Sequence, residues 1–188
     1  MDEAIYFAPR AKIGHILTEF MKKNPTLTTT ELGREMGFTQ SMISKIRTDK
    51  APLRFDDLGN MYKATEGLVG NDDLMITTLN IFTNGFVPPL PNYDNLTPNP
   101  VVLANRVIEE MNQSTEALKQ ALDDFSDPTS PNNLDEIEDP EKAFKQTYDV
   151  IRYGLALMSV IAGYYKLSWT QEAKTREKEI ERSHEHLI

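Results

Sequence analysis

The chain has 188 residues, of which 39% are hydrophobic, with a formal net charge of −9 and no cysteine. That length suits one ordinary domain or two small ones, and the missing thiols exclude disulfides and thiolate metal sites. Acidity is unevenly placed: residues 1–66 hold ten Lys and Arg against nine Asp and Glu, and residues 67–188 hold ten against twenty, so only the first part suits a polyanion.

The start, "MDEAIYFAPR", has acidic residues and no apolar core of a secretory signal. With the lack of cysteine this predicts a cytoplasmic location. The N-x-S/T sequons at Asn95 and Asn112 are then read as chance. After Pro9, Ile13, Ile16, Leu17, Phe20 and Met21 recur at helical spacing, and Asn24-Pro25 ends the run. Thr28 and Glu31 predict a capping box opening "TTELGREM", and Gly37 stands where a helix-ending glycine belongs. Thr39 is positioned to cap "QSMISKIRT". A fourth helix is expected in "RFDDLGNMYKAT", with Phe55, Leu58, Met61 and Tyr62 on its apolar side and Gly67 closing it.

"DDLMITTLNIF" reads as a connecting helix, although its β-branched residues also permit a strand. "TNGFVPPLPNYDNLTPNP" reads as a Pro/Asn-rich linker. Between 101 and 125 the residues Ala104, Val107, Met111, Ser114, Leu118, Ala121 and Phe125 step by three and four. After the polar break "SDPTSPNNLDEIED", Asp139 and Pro140 are expected to open another helix as N-cap and first residue. There Phe144, Tyr148, Ile151, Leu155, Met158, Ala162 and Tyr165 step by four and three, with Val150, Gly154, Leu157, Ile161 and Tyr164 beside them. A helix apolar on most sides predicts central burial. The tail "QEAKTREKEIERSHEHLI" reads as an exposed or frayed helix.

Chemistry-bearing patterns are few. "YGLALMSVIAGYY" is short of the ~20 residues that span a bilayer, so no membrane contact is expected. His184 and His186 form H-x-H without a helpfully spaced third ligand, and no metal site is predicted. Glu109-Glu110 and Asp123-Asp124 splay by about 100° on a helix, so they do not pair and are expected to be solvent-facing charge. There is no Gly-rich phosphate loop, nucleophile elbow or Ser/His/Asp grouping, so neither an enzyme nor a cofactor is expected.

The informative stretch is "TTTELGREMGFTQSMISKIRTDK". A helix, a tight glycine turn and a second helix with a polar N-terminal face form the geometry that presents a helix to the DNA major groove. Leu32, Met36, Phe38, Ile43 and Ile46 would lock the pair together, and Gly33 would let them approach closely. Gln40, Ser41, Ser44 and Lys45 remain outside. Gln bonds adenine bidentately, Ser reads several base edges, and Lys reaches guanine or phosphate. Arg47 and Lys50 fall where phosphates would pass, and Thr39, at the start of the second helix, is counted with them among the expected DNA-binding residues. Between Thr39 and Arg54 the only acid is Asp49, against Lys45, Arg47, Lys50 and Arg54. Arg10, Lys12, Lys22 and Lys23 read as ordinary surface charge.

With "FDDLGNMYKATEGL" following, this segment resembles the λ-repressor-like helix-turn-helix family of phage and plasmid repressors, over roughly residues 10–70. The resemblance implies a bundle of four or five helices, with Gln40, Ser41, Ser44 and Lys45 facing bases and Thr29 near phosphate. Three positions depart from the family pattern: Thr29 stands in place of a usual Gln, Arg47 in place of a common acid, and Asp49 in place of a usual glycine.

The expected architecture is therefore all-α. It has a DNA-binding bundle at 1–70, a connecting helix and linker at 71–100, and a helical oligomerisation domain at 101–188. Leu118, Ile151, Leu155, Met158 and Ile161 are the expected dimerisation residues. The expected function is a sequence-specific regulator of transcription. It would be a repressor of phage or mobile-element type, binding double-stranded DNA as a homodimer on a palindromic operator. The alternative is an interaction module, an antirepressor or adaptor, that uses the same scaffold without reading bases.

Overall fold

A computed structural model describes residues 7–91, 99–126 and 138–185. They are mostly helical: α1 (Gly14–Lys23), α2 (Thr29–Met36), α3 (Gln40–Arg47), α4 (Leu58–Thr65), α5 (Asn71–Phe82), α6 (Pro100–Ser126), α7 (Glu138–Tyr165) and α8 (Trp169–Glu185). None of the described helices is long and apolar enough to cross a membrane. The chain divides into two compact units, residues 1–87 with 161–188, and residues 88–160.

Among its described residues the first unit departs from an all-helical plan at one place. Arg10–Ala11 (β1) and Leu53–Arg54 (β2) pair antiparallel, Arg10 opposite Arg54 and Ala11 opposite Leu53. Two-residue strands are too short to leave an alternating pattern, so the predicted helix at "RFDDLGNMYKAT" begins late. A 3-10 turn covers Phe55–Asp57 before α4 starts. Phe55 consequently stays exposed, its ring set edge-on to Phe82 at 5.5 Å. Arg54 grips Asp57 with two bonds of 2.8 Å, which hold the buried Asp57 carboxyl below its ordinary pKa. That pairing removes Arg54 from the free positive charge expected near α3.

A single core joins α1 through α5. Ile13, Leu17 and Phe20 of α1 and its approach, Leu32 and Met36 of α2, Ile43 and Ile46 of α3, Met61 of α4, and Leu74 and Phe82 of α5 are all buried in it. The core therefore extends beyond residue 70, where the sequence suggested a boundary. Polar ties fix α5 to the rest. Asn24, at the end of α1, donates to the Phe20 and Val69 carbonyls and accepts from the Val69 amide. The Thr65 hydroxyl donates to Asn71 Oδ1 at 2.6 Å, both residues being buried. The Ala8 amide donates to the Phe82 carbonyl.

The second unit is built on α6 and the part of α7 up to residue 160. Asn99 Oδ1 accepts from the amide of Val101, capping α6 with Pro100 as its first residue. α7 starts at Glu138, so Asp139 and Pro140 both lie inside its first turn rather than at cap and first position. The two helices run antiparallel: Ser114 bonds Thr147 at 3.1 Å, and Lys142 donates to Gln120. Their seam is narrow, with Ala117, Ala121 and Ala143 packed together. Glu110, expected to face solvent, is instead buried, because it turns to the seam side of α6 and pairs with Arg106 at 2.6 Å; the Arg106 guanidinium lies 5.1 Å from the Tyr153 ring.

Central burial of α7 is not observed. Ile151, Met158, Tyr164 and Tyr165 are exposed, as is Leu118 on α6, while Leu155 and Ile161 are half-buried. Alanines let the helices approach closely, and the larger side chains of the heptad pattern are left on the outside. The tail is helical in α8 and exposed along most of its described length. The side chains of His184 and His186 lie outside the described residues. Among the described residues no cluster of His, Asp and Glu is arranged to hold a metal.

Candidate nucleic-acid interface

α2 begins with the expected capping box. The Thr28 hydroxyl accepts from the Glu31 amide at 3.1 Å, and the Glu31 carboxylate accepts from the Thr28 amide at 2.9 Å. The Thr28 amide, and the Thr28 hydroxyl donating to the same carboxylate at 2.9 Å, keep the Glu31 carboxyl below its ordinary pKa. α2 ends at Gly37, which adopts the left-handed conformation at φ 73°. The Phe38 amide returns to the Gly33 carbonyl at 2.7 Å. A Cβ on Gly33 would sit 2.8 Å from the Phe38 carbonyl oxygen, so glycine is required for this close turn. Thr39 then caps α3, its hydroxyl accepting from the Met42 amide at 3.2 Å.

α3 is anchored by Ile43 and Ile46, both buried. At ~100° per residue, Gln40, Ser41, Ser44 and Lys45 share the opposite side. Gln40, Ser41 and Lys45 are exposed and Ser44 is half-buried. The Gln40 amide nitrogen donates to Thr29 Oγ1 at 3.3 Å and to Ser44 Oγ at 3.2 Å. Both bonds are long, hence weak. They orient the amide, and one can be exchanged for an outside acceptor at small cost. Thr29, expected near phosphate, is thus also a support for Gln40. Thr48 was not anticipated. It lies four residues beyond Ser44 on the same face, exposed, with its hydroxyl donating to the Ser44 carbonyl at 2.9 Å; the i+4 spacing was the available signal.

Beyond α3 the chain reverses through Asp49, left-handed at φ 55°. The Asp49 amide bonds the Ile46 carbonyl, and the Lys50 amide bonds that of Lys45 at 2.8 Å. This is a Schellman closure with Asp in the glycine position. Asp49 Oδ1 also accepts from the Gly14 amide at 2.8 Å, capping the start of α1. A Cβ on Gly14 would lie 2.7 Å from the Arg47 carbonyl oxygen, so only glycine fits beneath the turn. The one acid of the segment is thereby turned to a structural bond, while Lys45, Arg47 and Lys50 are all exposed.

The departure at Asp49 has a measurable consequence. Asp49→Ala loses the bond to Gly14 and keeps the left-handed strain, and is expected to lower stability by about 1–3 kcal/mol. Asp49→Gly loses the bond but relieves the strain, and should fall within about 1 kcal/mol of the parent. Thermal unfolding followed by circular dichroism separates the two; equal losses would remove the strain from the account.

No protein-family model, curated protein or solved structure matches this chain.

Proposed function

We propose that the protein is a sequence-specific regulator that binds double-stranded DNA through a helix-turn-helix formed by α2 and α3. The observation that carries this reading is the outer side of α3. Gln40, Ser41, Ser44 and Lys45 lie together on a helix whose other side is locked into the core, with Arg47 and Lys50 beside them. A rigid polar helix face flanked by cations suits base reading plus phosphate contact. The one acid between Thr39 and Arg54, Asp49, is bonded to Gly14. The acidic balance of residues 67–188 keeps the remainder off the polyanion.

A single such element covers too little DNA for useful specificity, so the reading includes two copies on a palindromic operator, acting as a repressor of phage or mobile-element type. Selection of bound sites from random duplex DNA tests it. The expected outcome is an enriched inverted repeat with fixed half-site spacing. Recovery of no preferred sequence at low salt would reject base reading and leave the scaffold to contact another protein.

A further inference from the structure

The second unit carries an apolar surface that its own fold leaves uncovered. On α6 the buried side runs through Leu103, Glu110, Ser114, Ala117 and Ala121. Ile108, Met111, Leu118, Leu122 and Phe125 are exposed and lie about a quarter turn further round, at ~100° per residue. On α7 a similar rotation, in the same sense, separates Ala143 and Thr147 at the seam from Phe144, Ile151 and Met158, which are also exposed. Because the helices are antiparallel, equal rotation in the same sense brings both runs to one side of the hairpin. The bonds Ser114–Thr147 and Lys142–Gln120 set the level. Leu118 then stands beside Phe144, and Met111 beside Ile151.

We propose that this face is the seam of a four-helix bundle formed with a second copy of the chain. Three features select that occupant. The spacing on both helices is the three-and-four alternation of left-handed bundle packing, and the hairpin fills only the narrow alanine side of each helix with it. The face is a mirror of what it needs: a two-fold pairing sets the same patch against itself, apolar on apolar. The area is also sufficient. Eight large apolar side chains, exposed by between 40% for Leu118 and 72% for Phe144, present on the order of 800 Å² per chain, about what one partner of a standard interface buries. That exceeds what a monomer ordinarily leaves open. The assignment relocates the expected dimer contacts: Leu118, Ile151 and Met158 remain, Leu155 borders them, and Ile161 leaves the seam.

This pairing deepens the dimeric reading above, but its test contains no DNA, so each fails or stands alone. Sedimentation of the full chain is expected to give a dimer at micromolar concentration. The double substitution Met111→Glu, Ile151→Glu places carboxylates where they would be buried and should weaken self-association by about 100-fold or more. Its helical circular dichroism should persist, since both positions are exposed in the single chain. The absence of native cysteine allows a second readout that needs no such variant. In Met111→Cys the thiol should be alkylated slowly at high protein concentration and rapidly on dilution; in Glu116→Cys, on another side of α6, the rate should not change. A monomeric parent, an undiminished dimer in the double variant, or equal protection at both cysteines would overturn the proposal. A monomeric parent would leave the stripe to another segment or to a different protein.

Discussion

Phe82→Ala is expected to destabilise the N-terminal unit by about 3–5 kcal/mol. The ring is wholly buried at the far end of α5, and its loss leaves a cavity between Phe55 and the α1 core. Ordinary domains hold only ~5–15 kcal/mol in total, so much of the margin would go. A chain ending at residue 70 is expected to fare worse. It lacks Leu74 and Phe82 from the core, the Asn71 side chain that bonds the Thr65 hydroxyl across to α5, and the carbonyl that receives the Ala8 amide. Residues 1–91 should melt cooperatively, and residues 1–70 should show no transition. A fragment 1–70 melting at the temperature of the longer one would make α5 an appendage rather than a wall of the domain.

That boundary marks where sequence reasoning reaches its limit. The helices of the first 66 residues were legible because each carries its own local signal. Thr28 with Glu31, Gly37 and Thr39 announce ends, and Leu32, Ile43 and Ile46 fall at helical spacing. α5 has no comparable stripe. Ile76 and Thr78 are both buried, and β-branched residues blur the helical preference. What ties α5 to the core is non-local: Asn24 reaching Val69, and Thr65 reaching Asn71.

The same limit explains the candidate site. The face with Gln40, Ser41, Ser44 and Lys45 follows from residue spacing alone. Asp49 bonding Gly14 joins positions 35 residues apart and leaves no sequence pattern. In the second unit the heptad steps were visible, but they could not say which side of the helix met its neighbour. Alanines at 117, 121 and 143 make the close seam, so the large residues that dominate the pattern lie outside it.

Binding to the selected operator is expected to fall about 10³-fold between 50 and 200 mM salt. Lys45, Arg47 and Lys50 are exposed on each copy, which makes six cations for a pair. Neutralising six phosphates gives a logarithmic slope near −5. Two substitutions divide this electrostatic part from base reading. On the proposed reading Lys50 meets one phosphate per copy, so Lys50→Ala should weaken every sequence alike and flatten the slope by about 2. Gln40→Ala should leave slope and background affinity intact, yet cost about 1–3 kcal/mol per half-site on the preferred operator. The Gln40 amide nitrogen is shared between Thr29 and Ser44. Thr29→Val removes one of these supports without removing the reader, so it should give a smaller loss at the same base position. Titrations of labelled duplexes at several salt concentrations measure all three. If Gln40→Ala kept both the preferred site and its affinity, Gln40 would be a surface residue braced by its neighbours, and base recognition would have to come from elsewhere on α3.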